Sequence, residues 1–238
     1  MANILNIETS TEVCSVALTS DGQVLDHHEN YDGQTHSTLL SKYVQDALVY
    51  CRSRELNLDA VAVSLGPGSY TGLRIGLSEA KGVAFGLNLP LIGINTLQLL
   101  TVSAMFRDFY DEDVLFAPMI DARRMEVYTA VYNAALDAVV EPCAMILDEA
   151  SFSSELDMGK VVFIGNGAAK TSDVIKHANA SFLSDIKPVA VDMMALSERA
   201  FRKSDFIDVA YSTPIYLKEF QAIKPKNKLL EELHRDIK

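Results

Sequence analysis

The chain has little of what several functional classes require. Three cysteines, Cys14, Cys51 and Cys143, stand far apart and never as Cys-x-x-Cys. That excludes a disulfide framework and a cysteine zinc site, and it suits a reducing cytoplasm. No apolar run approaches the ~18 residues of a membrane span. The first twenty residues contain no Lys or Arg, so no signal peptide is read there and a cytoplasmic location without membrane contact is expected. Basic residues are scarce: 21 Lys and Arg stand against 32 Asp and Glu, for a net charge of −11. Such a body repels phosphate backbones at long range, which disfavours direct nucleic-acid binding.

What is present is an ordinary globular composition, 49% hydrophobic over 238 residues, enough for one large domain or two small ones. Hydrophobic periodicity divides it into two similar halves. In the first, residues 3–8 form a short apolar run ending in Glu8, 13–19 and 23–29 alternate around an Asp-Gly turn, and 36–51 changes to helical spacing. A strand at 59–65, a helix at 71–86, a strand at 90–94 and a helix at 96–107 follow. The second half repeats the order: strands at 114–121 (ending in Asp121), 126–132 and 138–147, a short helix at 148–155, a strand at 160–164, a helix at 167–178, a strand at 187–191 and a helix at 192–203. The expectation is an α/β protein of two duplicated lobes, each β-β-β-α-β-α-β-α, with sheets covered by helices. The lobes are expected at 1–106 and 107–218, followed by a tail at 219–238. That tail holds five basic and four acidic residues, the only net basic stretch. It reads either as a solvated terminus or as an arm touching phosphate or a partner.

The segment after the fourth strand, LGPGSYTGLRIG, places Gly66, Gly68 and Gly72 between a strand and a helix, where free N–H groups favour anions. Leu73-Arg74 stands where a P-loop needs Lys-Ser/Thr, and Thr71 where a dinucleotide fingerprint needs its third glycine. A tight turn that aims the helix explains the glycines equally well. Within that helix Gly72, Gly76, Ala80 and Ala84 recur every four residues. Such a stripe serves either packing on the chain's own sheet or a close seam with another protein.

Catalytic patterns are missing. No His-Glu-x-x-His and no Gly-x-Ser-x-Gly occurs, and His27 and His28 are adjacent, so on a strand they face opposite ways. Glu8 and Asp121 end equivalent strands and could hold a cation between the lobes, or act as structural hydrogen-bond hubs.

The opening ILNIETSTEVCSVAL, the GPGSYTGLRIG loop and helix, DARRMEVY at 121–128 and PIYLK at 214–218 together resemble the bacterial TsaB (YeaZ) family, across the chain to about Lys218. The resemblance implies the RNase H-like fold of the sugar-kinase and actin superfamily. It implies a part in making threonylcarbamoyladenosine, next to the anticodon of tRNAs that read ANN codons, as the non-catalytic partner of the transferase TsaD. TsaE is a further partner, tRNA is reached through the complex, and a homodimer is an alternative for the isolated chain. TsaD-like relatives bind their metal through Val-Asn-His-x-x-x-His; here Thr96 and Leu100 fill the two histidine places, so no catalytic, cofactor-binding or metal-binding residue is assigned. A nucleotide at the interface of the complex stays open. The family's seam uses the first two helices, and the residues expected in it are Leu40, Tyr43, Val44 and Ala47 of one and Tyr70, Leu73, Arg74, Gly76, Leu77 and Ala80 of the other. The rival is a small ATPase or phosphotransferase of the same superfold, using Glu8, Asp121 and the Gly66–Gly72 loop.

Overall fold

A computed structural model describes residues 2–33 and 35–218; the basic tail lies outside the described residues. Two five-stranded sheets are present. The first contains β1 (Asn3–Glu8), β2 (Cys14–Ser20), β3 (Gln23–Asn30), β4 (Ala60–Gly66) and β5 (Leu91–Asn95) in the order β3-β2-β1-β4-β5. The second contains β6 (Leu115–Asp121), β7 (Glu126–Tyr132), β8 (Ala138–Ile146), β9 (Val161–Ile164) and β10 (Ala180–Leu183) in the order β8-β7-β6-β9-β10. In each sheet the first three strands are antiparallel and the last two join in parallel. The duplicated α/β architecture read from the sequence is therefore the observed one.

Helices α1 (His36–Ser53) and α2 (Tyr70–Leu87) cover one face of the first sheet, where Leu5, Ile7, Val16, Val61 and Val63 meet Leu40, Val44, Leu77 and Ala80. Its other face is covered from both halves of the chain. Leu99 and Val102 come from α3 (Thr96–Met105), and Met193 and Leu196 from a 3-10 turn and α6 (Met194–Lys203). The opposite side of α3 sends Leu97, Leu100 and Ala104 into the second sheet's core. A helix apolar all round must be buried on all sides, and α3 is buried at nearly every position. A division of the chain at 106/107 thus separates the sheets but cuts across the packing of the helices.

The second half departs from the expected elements in three places. The final strand lies at Ala180–Leu183, not at 187–191, because Phe182 pairs with Phe163 across the parallel ladder and stacks on it at 5.1 Å. Residues 187–191 instead run along the first lobe: Lys187 Nζ pairs with Glu12 at 3.0 Å, and the Ala190 N–H donates to Ser15 Oγ at 2.9 Å. The short helix α4 (Ser153–Met158) begins later than expected, since the Asp148 carboxylate accepts from Ala150 N–H and Ser151 Oγ–H in a turn of its own. Helix α5 (Ala168–Val174) stops before Ile175, which turns extended and buries itself in the core.

Asn95 joins β5 to α3 and accepts from the N–H groups of Leu97 (2.8 Å) and Gln98 (3.3 Å). Asn95→Ala should lower stability by about 1 kcal/mol, the ordinary worth of such a cap; an unchanged denaturation midpoint would mean that tertiary packing alone starts this helix.

Candidate partner-binding face

Spacing decides which side of α1 and α2 enters the protein. On α1, His36, Leu40, Val44, Ala47 and Cys51 recur at three and four residues and are buried. On α2, Ser69 caps the N-terminus by accepting from Gly72 N–H, and Gly72, Leu73, Gly76, Leu77, Ala80 and Ala84 are buried. A β-carbon at Gly72 would stand 2.1 Å from the carbonyl oxygen of Thr9, and one at Gly76 2.1 Å from Thr9 Oγ1. Thr9 Oγ1 in turn donates to the Gly72 carbonyl at 2.9 Å. The small-residue stripe lets α2 lie directly on the β1–β2 turn.

Of the residues expected in the seam, Leu40, Val44, Ala47, Leu73, Gly76, Leu77 and Ala80 are buried in this chain's own core. Tyr43 is half-buried and stacks on His28 at 5.1 Å. Tyr70 and Arg74 remain towards solvent, half-buried and exposed respectively.

A second stripe lies on the opposite side of α2. Ser78, Gly82 and Gly86 are exposed at four-residue spacing, and a β-carbon at either glycine would meet nothing within 4 Å. Between them Phe85 is 83% exposed. On α1 the neighbouring outer positions include Lys42, Gln45 and Val49, the last 52% exposed. Ser41 Oγ–H donates to Glu79 at 2.9 Å and ties the two helices together. The sequence did carry a signal for this face: Gly82-x-x-x-Gly86, beside an aromatic residue and away from Leu73 and Leu77.

The cleft between the lobes offers much less. Glu8 is fully buried, and its Oε1 accepts from Ser10 N–H at 2.5 Å. Oε2 has no hydrogen-bond partner among the described residues, and burial pushes the carboxyl up to about 7. Burial, then the nearby Glu8 charge, push the Cys14 thiol up to about 11, so it is no ready nucleophile. Asp121 is exposed at the end of β6. Its carboxylate pairs with Lys170 at 2.6 Å, and Lys170 also donates to the carbonyls of Arg124 and Glu126. Among the described residues no group of three or more His, Cys, Asp or Glu could hold a metal ion. Thr96 and Leu100 are buried on α3, Leu100 within the apolar core. The space lined by Thr11, Leu100, Ile120, Asn166 and Lys187 amounts to about 10 Å³, no more than one water occupies. The Gly66–Gly72 loop is drawn onto the β1–β2 turn, where Ser69 N–H donates to the Ser10 carbonyl at 2.6 Å.

Comparison with known proteins agrees with this architecture. The family model "TsaD: tRNA N6-adenosine threonylcarbamoyltransferase" matches residues 23–229. The Escherichia coli tRNA threonylcarbamoyladenosine biosynthesis protein TsaB is 34% identical over 227 residues, 93% of this chain and 96% of that protein. The chain belongs to the TsaB family. The Bacillus subtilis TsaB is 32% identical, over 92% of this chain and 95% of its own length. The solved structure of YeaZ from Pseudomonas aeruginosa superposes with a TM-score of 0.76 at 27% identity, covering 91% of this chain and 100% of that one. As a TsaB-family protein the chain is placed in tRNA threonylcarbamoyladenosine biosynthesis, and among its described residues no helix is long and apolar enough to cross a membrane.

Proposed function

We propose that this TsaB-family chain is a non-catalytic scaffold that docks on TsaD through the outer face of α1 and α2, in the complex that transfers threonylcarbamoyl to tRNA. The observation that carries the reading is the outer stripe of Ser78, Gly82 and Gly86 around an 83% exposed Phe85. Small residues let a second helix approach to the short end of the usual interaxial range. Burying Phe85 would realise roughly 2 kcal/mol of apolar transfer that the isolated chain leaves unused. Residues 1–106 carry the docking helices, and 107–218 form the second lobe that braces them through α3. TsaE and tRNA are reached through TsaD, and the chain holds no cofactor of its own.

Reconstitution tests the reading. TsaC (the enzyme that forms threonylcarbamoyl-adenylate), TsaD, TsaE, ATP, threonine, bicarbonate and unmodified tRNA are combined with the wild-type chain, with Gly82→Trp, or without either. Threonylcarbamoyladenosine is expected only with the wild type, and Gly82→Trp should bind TsaD at least roughly tenfold more weakly at unchanged melting temperature. Equal product without the chain would sink the scaffold role. Magnesium-dependent ATP hydrolysis by the isolated chain, lost in Glu8→Gln, would favour the ATPase.

A further inference from the structure

After α6 the chain returns along the flank of α2. Ile207 N–H donates to the Leu91 carbonyl at 2.8 Å, Ile215 N–H to the Leu65 carbonyl at 2.7 Å, and Lys218 pairs with Glu126 of the second lobe. Between this strap and α2 lies an open groove of about 240 Å³, lined by Arg74, Ser78, Lys81, Ser212, Thr213 and Tyr216 among others.

In a chain of net charge −11, the groove holds two cations, and neither pairs with a carboxylate among the described residues. Both are held in place. Lys81 Nζ donates to the carbonyls of Ala210 (2.9 Å) and Ser212 (2.7 Å), which leaves one of its three N–H groups. Arg74 Nε donates to Tyr216 Oη at 3.1 Å, and its guanidinium lies 4.2 Å from the Tyr70 ring centre. The Tyr70 and Tyr216 rings are themselves 5.1 Å apart. A guanidinium held by an aromatic face and a phenol presents its remaining N–H fork in a set direction, so a ligand need not immobilise it.

We propose that this groove receives a carboxylate side chain, Asp or Glu, of the protein that docks on α2; the proposal rests on the docking reading above. Ser78 belongs both to the groove and to the outer stripe, so a helix laid along Ser78, Gly82 and Gly86 passes the mouth of the groove. The size favours a side chain over a nucleotide, since 240 Å³ lies below the ~300–1,000 Å³ of sites that engulf a small molecule. The planar fork of Arg74 matches a carboxylate bidentately, and the hydroxyls of Ser78, Ser212 and Thr213 complete a polar rim.

The test measures the affinity of TsaD for four full-length chains (wild type, Arg74→Ala, Arg74→Lys and Gly82→Trp) at about 50 and about 300 mM NaCl. Arg74→Ala should weaken binding roughly tenfold or more at low salt and flatten the salt dependence, while Arg74→Lys restores the charge and only part of the affinity. A melting curve for each variant confirms that it is folded. If Gly82→Trp fails to bind while Arg74→Ala binds as wild type at both salts, the groove is overturned and the docking face stands. If neither variant loses affinity, the docking face falls and the groove with it. Binding of inorganic phosphate or ATP to the isolated chain that disappears in Arg74→Ala would assign the groove to a free anion and overturn the side-chain occupant.

Discussion

Gly72→Ala is expected to destabilise the protein by about 3 kcal/mol, even though alanine is the better helix former by about 1 kcal/mol. The added carbon would fall 2.1 Å from the Thr9 carbonyl oxygen, a backbone atom of the β1–β2 turn that cannot rotate aside. Relief requires α2 to lift from the first sheet, where Leu73, Leu77 and Ala80 are packed. For a chain of this length the midpoint of thermal unfolding should fall by roughly 6–12 °C. Gly82→Ala, ten residues along the same helix, should move the other way and add up to about 1 kcal/mol, because nothing lies within 4 Å of its new carbon. The two melts together test which side of α2 faces the core. Two variants of equal stability, or a destabilised Gly82→Ala, would show that the helix is seated differently.

The second large effect is a pH dependence centred on Glu8. Burial raises this carboxyl from 4.5 to about 7, so the folded chain holds its proton more tightly than the unfolded chain does. Stability must then fall as the pH rises from about 5 to about 8, by about 3 kcal/mol once the buried carboxylate is fully ionised. The hydrogen bond from Ser10 N–H opposes the rise but is outweighed by desolvation. Glu8→Gln keeps the shape and an oxygen for Ser10 N–H, and it cannot ionise. Its unfolding free energy should stay nearly level over the same interval, so that the variant is the more stable protein at about pH 8. Urea titrations at both ends of the range measure this, and parallel profiles for the two proteins would remove Glu8 as the cause.

Several features were legible in the residues before any fold was known. Strands such as 3–8 and 114–121 announce themselves by apolar runs ending in an acid, and their matched spacing in the two halves exposes the duplication. The final strand was harder. Ala180–Leu183 has four residues, and its placement depends on Phe182 stacking on Phe163, a contact that local alternation does not encode. Glycine and alanine carry almost no hydrophobic signal of their own, so the two small-residue stripes of α2 are told apart only by the side chains beside them. Ser78 is two residues beyond Gly76, and an offset of two turns a helix by about 200°. The two stripes therefore lie on opposite sides. Leu73 and Leu77 flank the inner one, and Lys81 and Phe85 the outer one.

By itself the sequence determined the α/β class, the doubled topology and the family, because these follow from periodicity and from contiguous motifs such as GPGSYTGLRIG. The tertiary structure decided which face of α2 is exposed, that α3 packs on both sheets while α6 of the second half packs on the first, and that Glu8 is buried with an unpaired oxygen. It also joined Arg74 to Tyr216, 142 residues apart. The reason is physical: a local pattern states that a residue is apolar, small or charged, whereas burial and pairing depend on what distant segments bring against it.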